Sequence, residues 1–139
     1  MVQEFFIHPT IAIAVVILTI ITFTLKARKK KFFRAHYASG IITVSLTAIA
    51  VSIAYYFAAP VGFDYFPDPN YPFHFALAVP AFTSLFVQGA LGITMLIRGR
   101  RAGRIYRIHR RLSRLVIVIV PIQGAIGLVV LYLLYQRYF

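Results

Sequence analysis

Four histidines, His8, His36, His74 and His109, carry most of the chemical potential of this chain. There is no cysteine, so disulfides, zinc–thiolate sites and iron–sulfur clusters are excluded. The only carboxylates are Glu4, Asp64 and Asp68, none inside an apolar stretch, so paired-carboxylate acid–base chemistry is not on offer either. What remains is imidazole, which ligates metals, relays protons or simply stands at a membrane surface. Any redox chemistry must use a cofactor held by these side chains.

The elements that position the histidines are apolar. Of the 139 residues 60% are hydrophobic, and the mean hydropathy is +0.81. Soluble domains sit nearer half apolar, so lipid is the expected solvent. Four stretches, Ile11–Leu25, Ile41–Pro60, Phe73–Ile97 and Leu115–Tyr135, reach with their flanks the roughly 20 residues needed to cross the hydrocarbon layer. None shows the alternation of a barrel strand. Acidic Glu4 precedes the first stretch and cations follow it, the reverse of a cleavable leader. The expected fold is an all-α membrane protein, a four-helix up-down-up-down transmembrane bundle forming one domain over residues 1–139.

The net charge of +12 comes from 15 Lys+Arg against 3 acids. Fourteen of those 15 cations fall in two connections, Lys26–Arg34 and Arg98–Arg114. The positive-inside rule puts these connections in the cytoplasm and both termini outside, as in a multi-pass protein of a prokaryotic cell membrane. Topology accounts for the basic stretches, so a nucleic-acid partner is not expected. The other connection, from Pro60 to Phe73, is rich in proline and aromatics, as suits an interfacial loop. Pro80 and Pro121 should bend the third and fourth helices.

Each helix carries one histidine near its N-terminal end. Because direction alternates, His8 and His74 share one depth and His36 and His109 the other. Each pair spans a diagonal of the bundle. Two imidazoles per level, with no carboxylate or thiolate nearby, suit a haem, whose porphyrin supplies the remaining four ligands. Zinc or copper also accept imidazole, and an interfacial role is the bland alternative.

One turn past each histidine stand Ala12, Gly40, Ala78 and Ser113, all small, whereas Gly, Ala and Ser make up about a fifth of the chain. Small residues leave room for a macrocycle, and they equally serve close helix packing. A repeat adds to this. QGALGI begins at Gln88, fourteen residues after His74, and QGAIGL begins at Gln123, fourteen after His109. Fourteen residues is about 21 Å of helix on nearly the same face. Gln88 with Gly89 and Gly92 should reach the His36–His109 level, and Gln123 with Gly124 and Gly127 the His8–His74 level. The glycines let a flat ring approach, and the amides bond a propionate or a ligand imidazole. Alternatively both glutamines bridge helices over a glycine seam.

These residues together resemble the cytochrome b561 family of transmembrane di-haem electron carriers. The resemblance lies in His8–Pro9, the basic stretch leading to His36 and Gly40, His74, QGALG, and IHRRLSR around His109, and it covers nearly the whole chain. It implies two haem b (iron protoporphyrin IX), ligated by His8 with His74 and by His36 with His109. The family's eukaryotic members carry a further helix on each side of this core, and their ascorbate and acceptor surfaces cannot be transferred. Short bacterial members are quinol-linked but distribute their histidines differently. A minimal prokaryotic form fits best, with a quinol or small-molecule reductant as donor.

Two axial nitrogens saturate iron, which favours electron transfer over oxygen activation. Electrons would enter at one face, hop between the haems and leave at the other. No catalytic residue is singled out, and whether the chain is itself an oxidoreductase stays open. Lys29, Lys30, Arg100, Arg101 and Arg104 would attract an anionic reductant or propionates, or serve topology alone. Asp64, Tyr65 and Asp68 would dock an acceptor or simply be solvated. Membrane lipid is an expected partner; a redox partner protein and a homodimer are compatible with the chain. Three other readings compete: a haem-bearing anchor subunit of a larger redox complex, a histidine proton or ion conduit, and a purely structural bundle.

Overall fold

The computed structural model describes residues 2–25, 30–58, 70–99 and 103–138. These form four helices: α1 (Val2–Thr24), α2 (Lys30–Ile53), α3 (Asn70–Arg98) and α4 (Gly103–Tyr138). A π-helical turn, Ala54–Ala58, extends α2. All four helices are long and apolar enough to cross a membrane, and no strand occurs among the described residues. α1 packs on α2 and α4, and α3 packs on α4 and α2, leaving α1/α3 and α2/α4 as diagonals. Asp64, Tyr65, Asp68, Lys29, Arg100 and Arg101 lie outside the described residues, as do the side chains of Glu4 and Lys30.

The basic connections are shorter than the charge pattern suggests. Residues from Lys30 belong to α2 and those from Gly103 to α4, so most of both cationic stretches is helix rather than loop. Arginine and lysine are good helix formers, and no proline interrupts either run. With 36 residues α4 is about 54 Å long, well over the hydrocarbon thickness. α3 stops at Arg98 because Gly99 adopts φ 53°, the left-handed conformation that terminates helices. Pro80 and Pro121 both lie inside continuous helices.

The histidines set the phase of the whole core. Seven and eleven residues beyond each stand Val15 and Thr19, Thr43 and Thr47, Ala81 and Leu85, Val116 and Val120, and all eight are buried. A heptad-like register counted from each histidine thus faces every helix inward, as in a left-handed bundle. On α1 and α2 the interior is polar yet satisfied. Thr19 donates to the Val15 carbonyl, Thr43 to Ser39 and Thr47 to Thr43, each at 2.7 Å. The bulky apolar residues point outward instead, with Ile17 52%, Val118 54% and Val79 59% exposed. Lipid replaces water around such a surface, and packing of small side chains holds the helices together.

Candidate functional site

His8, His36 and His109 are each the seventh residue of their helix and His74 the fifth, so each stands within the first two turns. Alternating helix direction then gathers the four rings at two levels. His8 and His74 stand at one level and His36 and His109 at the other, and all four are partly buried.

A single geometric rule places their neighbours. In the first hairpin His8 Nδ1 donates to the Ala50 carbonyl at 3.0 Å, and His36 Nδ1 donates to the Thr22 carbonyl at 2.8 Å. In the second, the Gln123 amide nitrogen lies 3.0 Å from His74 Nδ1 and the Gln88 amide nitrogen 3.2 Å from His109 Nε2. Thr22, Ala50, Gln88 and Gln123 all stand fourteen residues beyond their own helix's histidine. Each histidine is therefore held by the far end of its antiparallel neighbour, four times over. The QGA repeat exposed this spacing for α3 and α4. For α1 and α2 the partner is a backbone carbonyl, which leaves no residue signature, although counting fourteen from His8 and His36 would have found both.

The hydrogen bonds fix proton positions. A carbonyl only accepts, so Nδ1 carries the proton in His8 and His36, and in the neutral ring Nε2 presents its lone pair. On α3 and α4 the glutamine amides do the holding. Gln123 also donates to the His74 carbonyl at 3.0 Å. Three buried side-chain atoms among the described residues have no partner: Gln88 Oε1, Gln123 Oε1 and His109 Nδ1. All three lie at the histidine levels, and a buried orphan of this kind asks for a further ligand or donor.

The repeat glycines divide into two kinds. A Cβ on Gly127 would come within 2.9 Å of His74 Cε1, and one on Gly92 within 3.8 Å of His109 Cε1. These glycines seat imidazoles. A Cβ on Gly89 would meet Val44 Cγ2 at 2.8 Å and one on Gly124 would meet Val16 Cγ2 at 2.6 Å, so these two let helices approach closely. Of the small residues one turn beyond the histidines, Ala78 is buried, while Ala12, Gly40 and Ser113 are half-buried. A Cβ on Gly40 would make ordinary contact with the Thr22 methyl at 3.8 Å, and the Ser113 hydroxyl donates to the Arg110 carbonyl at 2.9 Å.

A haem fits this donor set. Each level offers two imidazoles, and no group of three or more His, Cys, Asp or Glu gathers among the described residues. A tetrahedral zinc site would want more protein ligands than that, whereas a porphyrin brings four of its own. At the His36–His109 level the fit needs one change. Turning the Gln88 amide lets Oε1 accept from His109 Nε2–H, which leaves the orphaned Nδ1 as a free lone pair. At the other level the same turn costs Gln123 its bond to the His74 carbonyl.

Fold and spans define the class: an all-α, multi-pass integral membrane protein whose helices meet lipid. No protein-family model, curated protein or solved structure matches the chain.

Proposed function

We propose that this chain is a transmembrane electron carrier holding two b-type haems, one between His8 and His74 and one between His36 and His109. The observation that carries the reading is the level pairing of the four imidazoles, each held by a partner fourteen residues along the neighbouring helix. The orphaned atoms at those same levels support it. When bound, bis-imidazole haem supplies one-electron chemistry with no open coordination position. The chain's own residues do the rest. Ala50 and Thr22 orient His8 and His36 through their carbonyls, so that Nε2 of each faces the ligand. Gln88 and Gln123 position His109 and His74. Between the levels the eight buried residues, Val15 to Val120, exclude water from the core. The cation-rich end, with His36 and His109, is cytoplasmic in this proposal, and a quinol or small-molecule reductant is the donor.

A pyridine haemochrome count on purified protein tests the reading, with two haems b per chain expected and a reducible spectrum. His8→Ala or His74→Ala should remove one haem, and His36→Ala or His109→Ala the other. A colourless protein, a single haem in the wild type, or losses that pair differently would overturn it.

A further inference from the structure

The first half of α4 carries a second pattern, independent of the histidines' chemistry. Arg104, Arg107, Arg111 and Arg114 are all exposed. At 100° per residue they fall within a stripe about 80° wide and about 15 Å long. Ile105, His109, Leu112 and Val116 occupy the opposite, inward side and are partly or fully buried. Among the described residues the stripe meets no counter-charge. No ion pair to these arginines occurs among the described residues, and Glu4, Asp64 and Asp68, the only acids in the sequence, belong to the far end of the bundle or the far connection.

Depth decides what can neutralise it. α4 runs from this end into the bilayer, so Arg111 and Arg114 lie about 3 Å and about 7.5 Å deeper than His109. Their neighbours Ile108 and Leu115 are 45% and 49% exposed and suit acyl chains rather than water. A soluble acidic partner would meet only the first turns of the stripe. A phosphate at the headgroup level, with its chains running down the helix, meets all of it, the arginine stems snorkelling upward.

We propose that Arg104, Arg107, Arg111 and Arg114 form a binding site for an anionic phospholipid in the leaflet at the His36–His109 end. The site stands whether or not the haem reading holds, since it needs only the membrane-spanning fold. Native mass spectrometry of the full chain, released from nanodiscs of equal phosphatidylglycerol and phosphatidylcholine, tests it. Wild type should retain phosphatidylglycerol preferentially, and excess inorganic phosphate should not displace it. At about fivefold per arginine near the surface, Arg107→Gln with Arg111→Gln should weaken that preference by on the order of thirtyfold. Arg104→Gln with Arg114→Gln should do the same, while Arg34→Gln with Arg98→Gln, off the stripe, should leave it nearly intact. No preference in the wild type, displacement by free phosphate, equal loss in the off-stripe variant, or full retention in both stripe variants would overturn the site.

Discussion

The two ends of the bundle are built on one repeat, yet they hold their histidines differently. At the His8–His74 end Gln123 is 7% exposed and bonds both the ring and the carbonyl of His74. Gly127 there leaves so little clearance that a Cβ would lie 2.9 Å from the ring. At the His36–His109 end Gln88 is only half-buried and makes one contact, at 3.2 Å. A Cβ on Gly92 would be 3.8 Å from its imidazole, and His109 keeps an unpartnered nitrogen. On α1 and α2 no such contrast exists, since both histidines donate to carbonyls at nearly the same distance. The lesson is that equal residue types at equal spacing do not imply equal clearance. Clearance is a property of how far apart two helices settle, and fractions of an ångström decide whether a methyl group is accommodated.

The comparison breaks most visibly at the seat glycines. Gly127→Ala should cost about 1–3 kcal/mol from overpacking against His74. Gly92→Ala has room and should be neutral or stabilise by up to about 1 kcal/mol, the helix-propensity gain of alanine. Thermal unfolding in one detergent measures both, and equal shifts would mean the ends are alike. The glutamines sharpen it next. Gln123→Leu loses two bonds and should destabilise by about 1–2 kcal/mol; Gln88→Leu loses one contact and should cost on the order of 0.5–1 kcal/mol. The smallest expected effect is a coupling. Gly89→Ala should be partly rescued by Val44→Ala, with an interaction energy of about 0.5 kcal/mol or more in a double-mutant cycle. Additive losses would show that Val44 gives way without strain.

Much of the fold was legible because lipid imposes a simple grammar. Four apolar stretches without strand alternation mean four helices, since only helices and closed barrels satisfy the backbone in hydrocarbon. The direction of each helix and the depth of each histidine then follow from alternation. The helix starts were not legible. Arginine-rich sequence from Gly103 to Arg114 reads equally as connection or as amphipathic helix, and only the inward placement of Ile105, His109 and Leu112 distinguishes them. At the site, Gln88 and Gln123 announced themselves by repetition. The Ala50 and Thr22 carbonyls did not, because any residue supplies one. The split of the glycines into ring seats and helix contacts was likewise hidden, as all four occur in one motif.

Residue order alone determined the solvent, the number of spans, the alternation that sorts four imidazoles into two levels, and the fourteen-residue beat that links those levels. Each of these depends on composition or on helical periodicity, which are local properties. Only the tertiary structure decided which nitrogen of each ring is held, which carbonyl or amide holds it, and that one end closes tightly while the other leaves His109 Nδ1 without a partner. Those outcomes depend on the spacing and rotation of packed helices, set by contacts such as Val16 on Gly124 and Val44 on Gly89.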